Sequence, residues 1–280
     1  MANNSNFSID EFNKYWDSLS ITEDFIFCKV FEDEELCKEM LEILLDIKIH
    51  HLEFSESQKE MRSAYSAKGI RLDVFTEDEN RVFDVEIQTV SKADIPLRTR
   101  YYHSTMDTSL LKKGKAYTDL KESYVIFLCK FDPLKMGKPV YHFSMRDETE
   151  HEIILGDKTH TILYNIGNYG SLKESERKNF FCYLIHGRPC STFTKKTQQR
   201  LHEIKNNEHW RMDYMTLEMK FKEREEAAVA AATITARKEG IERGIEQGTK
   251  QTAAKFKKMG IPLDKIAEAT GLSLKEVKDL

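Results

Sequence analysis

Gly69–Val90 reads GIRLDVFTEDENRVFDVEIQTV, and its alternation of apolar and polar residues sets how the rest of the chain is read. The pattern predicts two strands, Ile70–Thr76 and Arg81–Thr89, joined at Glu77–Asn80 by a run of Glu, Asp and Asn that suits a turn. Side chains of a strand alternate between faces, so Ile70, Leu72 and Val74 lie on one side and Arg71, Asp73 and Phe75 on the other. On the second strand Phe83, Val85 and Ile87 oppose Asp84, Glu86 and Gln88. Any even loop length brings Asp73 to the face of Asp84, Glu86 and Gln88, and a two-residue loop sets it directly across from Glu86. Like charges facing each other destabilise a sheet. A divalent cation between them removes that cost, and Mg²⁺ commonly takes one or two carboxylates with water and phosphate. Periodicity alone leaves a second reading open, in which this is simply a solvated outer face.

Working outward, Thr22–Phe31 is apolar nearly all round and predicts a buried helix, with Asp24 in its first turn where the helix dipole favours an acid. Asp33–Asp46 predicts a second helix, opened by a capping Asp and burying Leu36, Met40, Ile43 and Leu44. Residues 1–18 read as a loosely held arm. Ile47–Phe54 alternates as a first strand, and Gln58–Lys68 is a polar lead into the hairpin. Beyond Val90, Asp94 and Pro96 predict the start of a helix that Gly114 stops, and Arg98, Arg100, Tyr101 and Tyr102 lie on its first turns. Ser123–Phe131 is an unbroken apolar run, as in a strand covered on both faces, whereas Val140–Met145 and Thr159–Ile166 alternate. Ser171 with Glu174 has the spacing of a capping box for a helix ending at His186 and Gly187. These elements predict an α/β fold, a mixed central sheet flanked by helices, over residues 1–190.

From Lys195 the chain is almost wholly helical and predicts a long α-helical C-terminal extension, 191–260. Trp210, Tyr214, Leu217 and Phe221 form one helical stripe that packs on the domain or on a partner chain. Gly240, Gly244 and Gly248 recur every four residues, each costing a helix about 1 kcal/mol against Ala. Close approach of another helix and a repeat of little consequence are both open. In residues 261–280, Gly271 forms a turn and Ser273 with Glu276 caps a short helix bearing Leu274, Val277 and Leu280. That segment resembles a helix-turn-helix, although a helical hairpin used for self-association fits equally.

An Asp on one strand, a polar turn and Glu-x-Gln on the next resemble the core of the PD-(D/E)XK nuclease superfamily. With TEDFIFCKVFED, the LRTRYYHS segment and the helical tail, the chain from about Leu19 onward is more closely similar to the Rpn family of recombination-promoting nucleases and transposases. The resemblance implies a restriction-endonuclease-like core that hydrolyses DNA phosphodiester bonds with Mg²⁺ or Mn²⁺. It implies Asp73, Glu86 and Gln88 as catalytic residues, Gln88 standing where the superfamily has Lys. Asp24, Asp73, Glu86 and the backbone carbonyl of Ile87 would hold the metal, with Glu23 as the near alternative to Asp24. Arg98 or Arg100, beside Tyr102, would meet a substrate phosphate, since a planar guanidinium matches its oxygens. The bland reading of that helix is amphipathic, tyrosines packed on the sheet and arginines solvated. Gln88 carries no charge and can hold a water only by hydrogen bonds. A non-enzymatic DNA-binding or assembly protein that uses its helical tail, with a homodimer through the C-terminal helices, is the competing expectation.

Composition bounds these readings. In 280 residues, 40% hydrophobic and 32% charged, no apolar run is long enough to cross a membrane, and MANNSNFSID lacks the pattern of a secretion signal. A cytoplasmic protein is expected. Five cysteines without a C-x-x-C pair fit reduced thiols, and no ligand spacing supports zinc held by them with His50, His51 or His186. Residues 1–60 carry fifteen Asp and Glu against five Lys, which leaves +6 for residues 61–280 out of an overall −4. DNA would therefore meet the later part of the chain more favourably than its acidic start.

Overall fold

The computed structural model describes residues 8–53, 59–61 and 70–280, with 59–61 and 70–72 described as backbone. Expectations for residues 1–7, for Phe54, for most of Gln58–Lys68 and for the side-chain faces of Ile70, Arg71 and Leu72 lie outside the described residues. The chain divides into two units, Met1–Met212 and Asp213–Leu280.

In the first unit, α1 (Ile9–Ser18) opens on a capping box in which Ser8 and Glu11 satisfy each other's backbone N–H. Phe12 and Trp16 are buried, and the Trp16 indole donates to the Lys205 carbonyl at 3.0 Å. The expected loose arm is therefore corrected over residues 8–18, because an indole with a partner for its N–H anchors the helix. α2 (Asp24–Phe31) buries Phe25, Ile26, Phe27, Cys28, Val30 and Phe31, as its unbroken apolar run requires. α3 (Glu34–Leu45) starts where Asp33 accepts from the Leu36 N–H and stops at Asp46, which adopts a left-handed φ of 57°. The strand expected from Ile47 does not form among the described residues. Ile49 and Leu52 are buried in irregular chain, and side chains meet its polar backbone: Glu42 accepts from Ile49 N–H and Arg81 donates to Lys48 C=O. With those groups satisfied there is no demand for a ladder. Only Glu53 makes an isolated bridge there, to Glu77.

β1 (Lys59–Met61) and β2 (Ile70–Leu72) form a two-stranded antiparallel sheet. The strand expected over Ile70–Thr76 is thus broken at Asp73, after which β3 (Val74–Glu77) pairs with β4 (Arg81–Gln88). Its turn is tight: Asp78 N–H donates to Arg81 C=O at 2.9 Å, and the Asp78 carboxylate accepts from the N–H groups of Asn80 and Arg81. α4 (Ile95–Leu110) follows, then β5 (Glu122–Cys129), β6 (Val140–Phe143) and β7 (Thr159–Asn165). α4 ends four residues before Gly114, and Asp94 stands at its start without a side-chain capping bond. The five-stranded sheet has the order β3-β4-β5-β7-β6, parallel through β4, β5 and β7 and antiparallel at both edges. Val125, Ile126, Phe127, Leu128 and Cys129 are all buried, as a central strand demands. α4 lies on one face, where Ile95, Tyr102 and Met106 pack with Phe75, Val82, Val125, Phe127 and Leu163.

α5 (Glu176–His186) is capped by Ser175, which accepts from Lys178 N–H, so the expected box at Ser171 and Glu174 is displaced by four residues; Ser171 instead ends a 3-10 segment, Ile166–Ser171. Gly187 ends α5 with a φ of 67°, a conformation that costs glycine little. α6 (Thr192–Lys205) packs against α2, α3 and α5, so the helical body extends past the domain end expected near Cys190.

α7 (Glu208–Lys258) runs on into the second unit. A Cβ added at Gly240, Gly244 or Gly248 would meet nothing within 4 Å. α8 (Leu263–Thr270) and α9 (Leu274–Asp279) fold onto the end of α7 around Ala253, Ile266 and Val277. The Ser273–Glu276 box makes both its bonds, while Leu274 and Leu280 remain exposed.

Candidate active site

The alternation of β4 aims Val82, Asp84, Glu86 and Gln88 to the face covered by α4, and Phe83, Val85 and Ile87 to the reverse. Continuing the β3–β4 register one step beyond the Val74–Val85 pair sets Asp73 against Glu86. The bend at Asp73 is held by side chains in place of a continued ladder. Asp73 N–H donates to Glu86 Oε1 and Ile87 N–H donates to Asp73 Oδ2, both at 3.2 Å. Each carboxylate thus fixes the other's strand.

α4 supplies the counter-charge. Arg98 and Tyr102, one helical turn apart, project from one side of the helix. Arg98 Nη2 donates to Glu86 Oε2 at 2.8 Å and Nη1 donates to Gln88 Oε1 at 2.9 Å. The Tyr102 hydroxyl accepts from Arg98 Nη2 at 2.8 Å and donates to Glu86 Oε2 at 3.4 Å. The guanidinium also stands 5.0 Å over the Phe127 ring. Gln88 Nε2 donates to the Ile87 carbonyl at 2.9 Å, so both ends of the Gln88 amide are engaged. Arg100 lies on the exposed side of α4 and joins none of these bonds. Asp24 is exposed at the start of α2, and its charge still acts on Glu86.

These carboxyl groups are not a solvated surface. Asp84, Glu86 and Asp73 are 0%, 2% and 7% exposed. Burial, and then the neighbouring Asp73, push the Asp84 carboxyl well above the usual range, against a lowering pull from Arg98. Among the described residues, neither Asp84 oxygen has a hydrogen-bond partner. Glu86 is likewise raised by burial and by Asp84, with Arg98 and the Asp73 N–H opposing. Arg98 is itself held charged by Tyr102 and Glu86 despite burial, and burial beside Glu86 pushes the Tyr102 hydroxyl up. Among the described residues, the Arg98 guanidinium bonds Glu86 and Gln88, while Asp84 stays buried beside Asp73 with no counter-charge bonded to it. A carboxyl group buried as Asp84 is takes up a proton or a cation.

Among the described residues, no three or more His, Cys, Asp or Glu side chains form a ready-made metal cage. Yet the donors on this face are all oxygens, the chemistry of a hard divalent ion, and Asp84 holds two unpartnered oxygens beside them. Mg²⁺ keeps several waters and needs only one or two carboxylates with substrate oxygens, so these residues fit it without a closed cage. The Arg98 clasp on Gln88 and Glu86 escaped the sequence reading. Its one local signal was the four-residue spacing of Arg98 and Tyr102.

A family model described as PD-(D/E)XK nuclease family transposase matches residues 21–237, a span that takes in α2, the hairpin, α4 and the first part of α7. No curated protein and no solved structure matches the chain.

Proposed function

The chain belongs to the PD-(D/E)XK nuclease family transposases, and from that membership we propose that it is an endonuclease that hydrolyses DNA phosphodiester bonds in recombination or transposition. The observation that carries the reading is the buried carboxyl face where Asp73 and Glu86 brace each other across the bend. Asp73 and Glu86 would hold Mg²⁺ or Mn²⁺, joined by Asp24 and by the carbonyl of Ile87. When bound, such an ion polarises a phosphoryl oxygen and lowers the pKa of water at the site.

The protein's own groups do the rest. Asp73 fixes the end of β4 through Ile87 N–H and so orients Glu86 and Gln88 together. Gln88 cannot supply the positive charge that the superfamily's Lys brings, but its Oε1 seats Arg98 beside it. Arg98 therefore restores a cation at that place, and its planar fork is suited to phosphate oxygens. Tyr102 holds the guanidinium by its hydroxyl, and the apolar packing of α4 limits bulk solvent around the carboxylates, which strengthens the charge interactions there. Arg100, exposed on the same helix, would meet the phosphate backbone further out. A DNA substrate and cysteines suited to reduced thiols support a cytoplasmic protein, and among the described residues no helix is long and apolar enough to cross a membrane.

The test is plasmid cleavage with Mg²⁺ or Mn²⁺. The wild-type chain should nick or cut, while Asp73→Ala and Glu86→Ala should not; equal cutting by all three would remove the enzymatic reading.

A second reading is favoured by one observation: Glu86 Oε2 is already satisfied by Arg98 and Tyr102. In that case the chain binds DNA without cutting it, or assembles through its tail, where Val229, Ile234, Ile241 and Ile245 are exposed along α7 and could seat a second copy. It predicts salt-sensitive DNA binding that survives Asp73→Ala and is lost on deleting residues 237–280.

A further inference from the structure

The sheet face turned away from α4 carries a second polar cluster, toward the β6 edge. Thr161 reaches His103 of α4, so by alternation its neighbour His160 points to the opposite side. There His160 Nε2 lies 2.8 Å from Glu122 Oε1, and His160 Nδ1 lies 3.3 Å from His142 Nε2. The Tyr124 ring stacks on His160 with centroids 4.6 Å apart and planes 14° from parallel, which fixes the imidazole plane.

The carboxylate settles the proton. An ionised Glu122 only accepts, so His160 Nε2 carries the hydrogen and, in the neutral ring, Nδ1 presents a lone pair. That lone pair faces the Nε2 of His142. Two imidazole nitrogens bound at about 2.05 Å to a tetrahedral ion stand about 3.3 Å apart, the separation seen here. A carboxylate behind the far nitrogen of a ligating histidine is the usual arrangement for orienting the ring and raising its basicity. The same two nitrogens meet the geometry of an N–H···N hydrogen bond at 3.3 Å, which metal binding would replace. His142 is exposed and His160 partly so, leaving room for water at the remaining positions.

We propose that His142 Nε2 and His160 Nδ1 bind a divalent transition metal of the imidazole-preferring kind, Zn²⁺ in the first instance, with Glu122 as the positioning residue. The site has two protein ligands and solvent elsewhere. With two protein ligands in place of four, its affinity falls below that of a closed structural zinc site. It is separate from the carboxylates under α4 in both position and metal preference, since imidazoles select Zn²⁺, Ni²⁺ or Cu²⁺ and oxygens select Mg²⁺.

The experiment is calorimetric titration of Zn²⁺ into the full chain carrying Asp73→Ala, with excess Mg²⁺ present. One Zn²⁺ per chain is expected. Adding His142→Ala or His160→Ala should weaken binding by about 100-fold or more, and Glu122→Gln by about 10–100-fold. No binding, or equal binding with and without His142, would overturn the proposal. Should a variant fail to fold, Ni²⁺ added to the wild-type chain gives the same decision. Paramagnetic broadening should reach the ring signals of His142 and His160 before those of His50, His51 and His209, and the reverse order would overturn it.

Discussion

Val85 and Asp84 are neighbours on β4 and equally buried, each 0% exposed, yet they present opposite physical problems. On the face of Phe83, Val85 and Ile87 burial is favourable by itself, and packing completes it. On the face of Asp84 and Glu86 the same burial is costly: it raises both carboxyl groups, and the α4 guanidinium bonds Glu86 but not Asp84. A chain that needed only stability would have placed apolar residues on both sides, since a buried ion network is often no better than a packed apolar one. Polar groups retained at that cost are what support the proposed placement of the site on this face.

The largest effect expected from breaking this contrast is in activity. Asp73→Ala or Glu86→Ala should reduce plasmid cleavage by about 10³-fold or more, equivalent to about 4 kcal/mol of barrier, measured as nicking rate in Mn²⁺. The apolar face should respond in stability alone. Phe83, fully buried and stacked 5.3 Å from Tyr124, should cost about 3–5 kcal/mol on truncation to Ala in urea unfolding. Asp84 sharpens the comparison because its replacement should stabilise. Its folded-state pKa is raised, so the native state retains a proton that the unfolded chain releases near pH 4, and stability falls as pH rises above that point. Asp84→Asn has no such slope and should gain on wild type from pH 4 to pH 7, by about 1–3 kcal/mol at the upper end.

The smallest effect runs in the other direction. His103, on α4, is bonded to Ser123 and Thr161, and burial lowers it to about 4. A base with a depressed folded pKa stabilises fully above its unfolded value of 6.5, and that contribution is lost as pH falls toward 4. Wild type should lose about 1–2 kcal/mol over that window, discounted for partial exposure, and His103→Gln should flatten the loss in thermal melts. An unchanged slope would show that the helix holds the imidazole less tightly than its two bonds suggest.

Much of the frame was legible because it is local. The two-period alternation of Arg81–Gln88, the apolar run of β5, the Asp33 cap and the Ser273–Glu276 box each depend on residues within a few positions of one another. Local signals also misled. Ile47–Phe54 alternates, but Glu42 and Arg81 satisfy that segment's backbone from outside it. Ser171 has capping spacing, yet Ser175 stands closer to the helix and takes the role.

What the sequence by itself determined is which side chains of β4 share a face: Asp84, Glu86 and Gln88 on one side and the apolar triplet on the other, because strand alternation leaves no choice. What only the tertiary structure decided is whether that face is wet or dry, which cation answers it, and that His142 meets His160 in front of Glu122. Those outcomes join residues ten to thirty-eight positions apart. They follow from the placement of α4 and the order β3-β4-β5-β7-β6, which arise from long-range packing and not from any local preference.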